Sequence, residues 1–357
     1  MPKICIISPS LKLGGIERAL TVLANQFITR GFQVAFICCL TDKHFYQLPP
    51  STEVYEPRFK RTSSSLNKLL YYPRLLSFLR KEIGKISPDR VLVFGDWFSP
   101  IALLALLGTK YPVYISDRTI PDYKFQFPIP QLKKWLYPKS AGFIAQTQRA
   151  KGFKEQLFGE QLRIKVIPNA LPEMHFPEVE EKEKVILYAG RFAWEKDPEI
   201  LIRSMPIVVE RASEWTLKMA GSGPLLEDMK ALAHSLGVTT NVCFLGKVNG
   251  MEQLYAESSI LVLPSVVEGF PNTLIEGMSA GLPSICFADI PYEDIVSPNV
   301  DGIVLSNRSP DELANAILDL IAKPRLRLEM GQKALCVKEK FSASRIADEI
   351  IEFMEIG

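Results

Sequence analysis

The sequence predicts an α/β protein of two domains, each a doubly wound parallel sheet with helices on both faces. Three observations carry that expectation. Short apolar runs alternate with longer amphipathic segments from end to end, the pattern of strand–helix–strand units. The short runs are apolar at nearly every position rather than at every second one, as strands covered on both faces must be. A stretch of three prolines and an acidic run, PNALPEMHFPEVEEKEK from Pro168 to Lys184, then reads as a linker that divides the chain. A chain of 357 residues also exceeds one typical core, at roughly 100–200 residues per domain.

Taken in order, KICIISP, QVAFICCL, RVLVFGD, VYISD, GFIAQT and IKVIPN are the strands expected before the linker. VILYAG, TLKMAG, NVCFLG, ILVLPS, PSICFA and GIVLS are those expected after it. Between them lie amphipathic segments, among them Glu17–Arg30, Pro198–Arg211, Pro224–Leu236, Pro310–Ile321 and Arg325–Lys340. The expected domains are residues 1–170 and 184–341. The amphipathic segment Ser342 to Met354 is read as a final helix, capped by Ser342 or Ser344 and a candidate to pack back on the first domain. Ligands of such sheets bind beyond the carboxyl ends of the strands, so two facing domains would place a cleft between them.

Apolar residues make up 47% of the chain and charged residues 23%, an ordinary balance for a globular protein. The longest apolar runs, such as Ile101 to Leu107, fall far short of the ~20 residues that span a bilayer. The chain opens as a strand with no signal-peptide pattern. Its six cysteines form no CxxC pair and its three histidines are widely separated, so buried reduced thiols are expected and no metal cluster is seen. Net charge is +2 but unevenly placed. Residues 1–178 carry 25 Lys/Arg against 13 Asp/Glu, and residues 179–357 carry 17 against 27. The basic half favours an anionic surface or substrate. No nucleic-acid motif is present to make that anion a nucleic acid, which leaves anionic lipid head groups or a diphosphate.

Several constellations could serve a diphosphate. In KLGGIERAL, Gly14 and Gly15 follow the first strand and open a helix, where close backbone approach and the helix N-terminus suit an anion; a tight strand–helix turn needs glycine anyway. In YAGRFAWEKDPEILI, a strand ends at Gly190, and Arg191 and Lys196 stand in the loop after it, able to clamp a diphosphate or simply to be solvated. AGSGPLLEDM repeats the strand–glycine–helix grammar at Gly221, with Pro224 at a helix start. The strand NVCFLGKV, with Phe244 and Leu245 near its end, could offer backbone groups to a planar base. SVVEGFPNTLIEGMSAGLP places Glu268 before a turn and Glu276 in the helix after it. Pro271-Asn272 fits the helix start, with Asn272 as candidate cap, and the amides of Asn272, Thr273 and Leu274 are expected to form an anion site. A carboxylate at Glu276 suits sugar hydroxyls; complementing the helix dipole is the alternative.

Together these motifs resemble the retaining nucleotide-sugar glycosyltransferases of family four, group 1, which have the GT-B fold. GGIERAL, GRFAWEK, AGSGPL, FLG and the paired glutamates of EGFPNTLIE stand in the family's order and approximate spacing over nearly the whole chain. The resemblance implies that Arg191 and Lys196 bind the donor diphosphate, with Gly190 and Gly221 shaping their loops. It implies that Glu276 holds the ribose hydroxyls. Glu268, with the backbone of Phe270, Pro271, Asn272 and Thr273, would hold the transferred sugar. Gly14 and Gly15 would admit the phosphates, and Phe244–Leu245 would meet the base. Fixed cations and helix amides would stabilise the charge that grows on the leaving diphosphate. The resemblance implies no cofactor and no metal; the chain has no Asp-x-Asp. The donor would be a UDP-, GDP- or ADP-sugar. One departure stands out: Gly95, before Asp96-Trp97, occupies a place where many members carry histidine.

The acceptor is expected on the basic N-terminal domain. Asp96 and Arg118, at strand ends, are candidates, with Thr147 a weaker one. FKRTSSSLNKLLYYPRLLSFLRKEIGK (residues 59–85) and QLKKWLYPKS (131–140) interleave basic residues with aromatic and aliphatic ones. Such helices bind anionic membranes without crossing them, or else face the core with a solvated basic back. On the first reading Lys60, Arg61, Lys68 and Arg74 contact the diphosphate of a lipid-linked acceptor, and the enzyme is cytoplasmic and peripheral on the inner face of the membrane, building surface polysaccharide or another glycan. Transfer to a soluble acceptor is the alternative, as is a non-catalytic sugar-nucleotide binder or epimerase of the same fold.

Overall fold

The computed structural model describes residues 1–12, 15–41, 44–60, 65–120 and 123–356, with the side chains at 15, 16 and 65–69 left out. The chain divides into two compact units, Met1–Pro172 with Phe341–Gly357 and Glu173–Lys340.

The first unit runs β1 (Lys3–Ser8), α1 (Gly15–Thr29), β2 (Gln33–Cys38), β3 (Glu53–Tyr55), α2 (Ser65–Ile86), β4 (Arg90–Phe94), α3 (Phe98–Leu106), β5 (Val113–Ser116), α4 (Ile129–Leu136), β6 (Gly142–Ala145), α5 (Gln148–Phe158) and β7 (Ile164–Val166). Its seven strands are all parallel, in the order β3-β2-β1-β4-β5-β6-β7. β1, β4 and β5 are buried along almost their whole length, which is why their sequences are continuously apolar. The sequence reading missed β3: it is a three-residue edge strand, largely exposed, and carries no apolar run.

The second unit runs β8 (Val185–Ala189), α6 (Pro198–Arg211), β9 (Thr216–Ala220), α7 (Leu226–Ser235), β10 (Val242–Gly246), α8 (Met251–Glu257), β11 (Ile260–Leu263), α9 (Asn272–Ser279), β12 (Ser284–Phe287), β13 (Gly302–Leu305), α10 (Pro310–Ala322), α11 (Pro324–Ala334) and α12 (Val337–Lys340). Its six parallel strands are ordered β10-β9-β8-β11-β12-β13. Strand order reverses at β8, so the loops after β8 and β11 diverge at a topological switch point, where such sheets bind ligands. The segment read as one helix over Arg325–Lys340 is two, broken after Ala334. Pro224 precedes α7 rather than opening it, since the helix begins at Leu226.

The last helix, α13 (Ala343–Met354), belongs to the first unit. Ser342 caps it, its hydroxyl accepting from the Arg345 amide at 3.3 Å. Ile346, Ala347, Ile350, Phe353 and Met354 are buried in a cluster with Leu20, Leu23 and Phe27 of α1.

One of the two readings left open for residues 59–85 fits the described side chains of α2, and one expectation about the cysteines changes. α2 turns Tyr71, Leu75, Leu79 and Ile83 into the core, at a spacing of four residues along one face. Its apolar stripe is therefore covered by its own sheet and leaves a solvated basic back, with Arg74 exposed. The buried cysteines are Cys5, Cys38, Cys39 and Cys286, whereas Cys243 and Cys336 are exposed.

Candidate active site

The second unit gathers most of the residues the sequence singled out. After β8 the chain makes a tight exit. The Gly190 amide donates to the Ala220 carbonyl at 2.9 Å, the Gly221 amide to the Gly246 carbonyl at 2.7 Å, and the Phe192 amide to the Ser222 carbonyl at 3.1 Å. Gly221 has φ +143°, and a Cβ there would stand 1.8 Å from the Gly190 carbonyl oxygen. Only glycine admits both the conformation and the approach. Phe192 then turns inward, fully buried, while Arg191 points out, its side chain 65% exposed and paired with Glu195. Burial alone would raise the Glu195 carboxyl, but the Arg191 guanidinium outweighs it and holds it below the usual range. One turn of 3-10 helix, Trp194–Lys196, brings Lys196 round. It ends at Asp197, in the left-handed region at φ +40°.

Lys196 pairs with Glu268, whose side chain is nearly buried. Glu268 also accepts from the Ser265 hydroxyl at 2.8 Å. The two loops are stitched together by backbone, the Val266 and Val267 amides donating to the Glu195 carbonyl at 3.0 and 3.3 Å. A cation and an anion that lie 72 residues apart in sequence thus share one place at the carboxyl ends of β8 and β11.

The start of α9 differs from expectation. Its N-cap is Pro271 and Asn272 is already helical. Pro271 has φ −81° and ψ 76°, an inverse γ-turn, which directs the Asn272 amide to the Phe270 carbonyl at 3.0 Å. The Leu274 amide donates to the Pro271 carbonyl, also at 3.0 Å. Two of the three amides expected to face an anion are therefore engaged locally. The Thr273 hydroxyl donates to the Ala189 carbonyl at 3.3 Å and ties α9 to the end of β8. Glu276 accepts from the Tyr255 hydroxyl at 3.1 Å. Phe270 is buried, and Phe244 packs against Phe192 with ring centroids 5.9 Å apart, whereas Leu245 is exposed.

Sequence reasoning missed Arg308. Its guanidinium donates to Asp197 at 2.7 Å, to Asp289 at 2.9 Å, to the Ser265 carbonyl at 3.4 Å and to the Pro264 carbonyl. It lies 4.3 Å from the centre of the Phe287 ring. Only the three-dimensional meeting of four loops reveals it; in sequence it is one arginine before a helix.

In the first unit, polar side chains collect where β4, β5, β6 and β7 end. Asp96 is buried and accepts from the Arg118 and Thr119 amides at 2.8 and 3.0 Å, from the Thr119 hydroxyl at 2.7 Å and from Lys133 at 3.2 Å. Those bonds fix the loop after β5, so Asp96 serves that loop rather than standing open to a substrate. Asp117 accepts from Lys154 at 2.5 Å, Lys133 at 3.0 Å and Tyr137 at 2.6 Å. Burial alone would raise its carboxyl, but Lys154 and Lys133 outweigh it and hold it at about 2. Arg118 lies on the Phe94 ring at 4.0 Å and donates to Asn169 at 2.5 Å. Its Nε is buried without a partner among the described residues. Burial pulls its guanidinium down to about 9 against Asp96 and Asp117, still charged at neutral pH. Thr147, the weaker acceptor candidate, caps α5, accepting from the Ala150 amide at 3.1 Å. Gly95 has φ +116°, and a Cβ there would meet the Pro9 ring at 3.1 Å, so the backbone here suits glycine at the place where many members of the resembled family carry histidine. Gly15 opens α1. Lys60 is exposed, and Gly14 and Arg61 lie outside the described residues.

Cys38, His44 and Glu56 also meet, their ligand atoms within 4.8 Å of one another. The sequence reading, which looked for CxxC pairs and grouped histidines, saw no such group, although the three stand within one stretch of the chain. The His44 Nε2 stands 2.8 Å from a Glu56 carboxylate oxygen, within hydrogen-bond distance.

Residues 13–173 match the model described as Glycosyltransferase Family 4, and residues 172–336 the model described as Glycosyl transferases group 1. An uncharacterized glycosyltransferase of Haemophilus influenzae is 26% identical over 94% of this chain and 95% of its own. An alpha-1,4-N-acetyl-D-galactosaminyltransferase of Campylobacter jejuni, named for a diNAcBac-PP-undecaprenol-linked GalNAc saccharide, is 26% identical over 99% of this chain and 98% of its own. The solved structure of Anabaena HepE with UDP and glucose superposes with a TM-score of 0.81 at 19% identity, covering 99% of this chain and 100% of that one, a likeness of fold. With two family models laid end to end over two parallel-sheet units, the chain belongs to the group 1 glycosyltransferases and has the GT-B fold.

Proposed function

We propose that this glycosyltransferase moves a sugar from a nucleoside-diphosphate donor to a lipid-linked saccharide with retained anomeric configuration and without a metal, and that it works at an anionic membrane surface. The carrying observation is the Lys196–Glu268 pair beside Arg191 at the ends of β8 and β11. In this reading the sugar C1–O bond to the diphosphate breaks and a bond from C1 to the acceptor oxygen forms. The acceptor's proton goes to the departing phosphate oxygen. Charge grows on the diphosphate as the bond breaks, and Arg191 and Lys196 are the groups that answer it. Glu268 sets the place of Lys196 and meets the sugar hydroxyls. Glu276, steadied by Tyr255, takes the ribose. Arg118, with its unpartnered Nε, is the candidate for an acceptor phosphate.

The lipid-linked acceptor is supported by the Campylobacter relative's named substrate and by the surface around α4. Tyr123 is 49% exposed, Phe127 81% and Trp135 51%, with Lys124, Lys134 and Lys139 exposed among them. No acidic residue falls between Tyr123 and Lys154, where seven Lys/Arg do. Aromatic side chains beside lysines suit the boundary between anionic head groups and acyl chains. α2 turns Tyr71, Leu75, Leu79 and Ile83 inward and leaves Leu70 and Arg74 exposed. No helix among the described residues is long and apolar enough to cross a membrane.

The test begins with thermal stabilisation by UDP-, GDP- and ADP-sugars, since a donor bound only to the native state raises its melting temperature. NMR of the product formed from that donor is expected to show retention at the anomeric carbon; inversion sinks the mechanism. Flotation is expected on vesicles containing phosphatidylglycerol, weakening with salt and with Phe127→Ala/Trp135→Ala. Flotation that is absent, or indifferent to both, favours a soluble acceptor instead.

A further inference from the structure

We infer that Arg308 is a positioning residue that holds the Lys196 loop against the turn bearing Glu268. The inference rests on the reading of Lys196 and Glu268 given above. Arg308 touches three loops at the carboxyl end of the second sheet. Asp197, its partner at 2.7 Å, directly follows Lys196; the Pro264 and Ser265 carbonyls begin the turn to Glu268; Asp289 lies beyond β12. The Phe287 ring beneath the guanidinium fixes its plane. The planar fork of an arginine can serve two carboxylates and two carbonyls at once, and a lysine ammonium cannot reach all four.

Asp197 explains why such a clamp is needed. It is not glycine, yet it sits at φ +40° and ψ 56°, a left-handed conformation that is unfavourable for an L-residue, less so for Asp and Asn than for most. Its side chain makes no cap bond to α6. The Arg308 ion pair is what fastens it. Released, Asp197 would relax its backbone and carry Lys196 with it. It would also become an unpaired carboxylate one residue from Lys196, competing with Glu268 for that ammonium. A displacement of about 1 Å at a reacting group lowers turnover on the order of 100-fold.

Two measurements separate this from a merely stabilising ion pair. The first is hydrogen exchange on the full chain without ligand. In Arg308→Gln, the amides of Val266, Val267 and Lys196 are expected to exchange at least tenfold faster, while those within α6 and α10 keep their wild-type protection. Unchanged exchange at 196 and 266–267 overturns the inference, whatever the reaction proves to be. The second is donor turnover per folded molecule. Arg308→Gln and Arg308→Lys are each expected to lose 10- to 100-fold in kcat with less than threefold change in donor KM. Asp197→Gly added to Arg308→Gln, which removes both the left-handed strain and the stray carboxylate, is expected to restore at least fivefold. Turnover within threefold of wild type in Arg308→Lys, or no restoration by Asp197→Gly, overturns it. If Arg308→Gln does not fold, Arg308→Lys carries both arms, with the same exchange and turnover expected. A wild-type protein that turns over none of the three donor classes defeats the transferase reading, and the exchange arm still decides Arg308.

Discussion

Asp117 shows how far a single carboxylate can be bent by its neighbours. Two lysines and a tyrosine hydroxyl converge on it in a buried pocket, and its carboxyl is held at about 2 instead of 3.8. The folded value lies below the unfolded one. Its contribution is therefore complete above about pH 4 and is lost as pH falls through about 2. The shift corresponds to about 2 kcal/mol at neutral pH. Unfolding of the first unit measured from pH 5 to 2 should lose that much more stability in wild type than in Asp117→Asn. The variant itself should be less stable at pH 7 by roughly 3 kcal/mol, because Lys133 and Lys154 lose a buried partner. Parallel pH profiles would show that the carboxylate is not what the lysines stabilise. None of this was legible in the sequence, where Asp117, Lys133, Tyr137 and Lys154 are spread over three elements. The grouping of Arg191 with Lys196, and of Glu268 with Glu276, was legible because spacing along one strand–loop–helix unit survives folding. Their pairing across loops was not, since it depends on which strands are neighbours.

At the scale of elements, the exits of β8, β9 and β10 behave as one unit. Each strand ends by handing an amide to the next strand's end: Gly190 to Ala220, then Gly221 to Gly246. Gly221→Ala would place a methyl 1.8 Å from the Gly190 carbonyl oxygen, and neither partner is a side chain that could swing away. Backbone strain and overpacking together should lower stability by about 2–5 kcal/mol. Arg191 would shift with its loop, so calorimetric titration with the best nucleoside diphosphate should show weakened binding in the folded fraction. A variant with unchanged melting temperature and affinity would mean that the three exits are not coupled. The sequence displayed these strands as short, mostly apolar runs, with Lys218 inside the second. It did not display β3, which has no such run, nor the direction of α2. A helix with an apolar stripe and a basic back reads the same whether the stripe meets lipid or its own sheet. The order of strands decides that, and it is written in long-range packing rather than in periodicity.

At the scale of the whole molecule, the chain completes its first unit last. α13 buries Ile346, Ile350, Phe353 and Met354 there. Phe353 crosses the Tyr114 ring at 5.6 Å and lies so close to Gly142 that a Cβ at that glycine would come within 2.6 Å of it. Arg90 donates to the Met354 and Glu355 carbonyls at 2.7 Å each, and Arg30 to Asp348 and Ser344. Four large apolar side chains at about 2 kcal/mol each represent up to about 8 kcal/mol, as much as an entire domain commonly has in net stability. The second unit needs no such return, because Glu173–Lys340 is continuous and contains its own core. Residues 173–340 expressed alone should therefore melt cooperatively with native-like circular dichroism. Residues 1–172 alone should bind a hydrophobic dye and melt without a sharp transition, and fusing residues 341–357 through a flexible linker should restore it. Cooperative melting of 1–172 at the temperature of the fused form would show that α13 decorates the first unit rather than completing it.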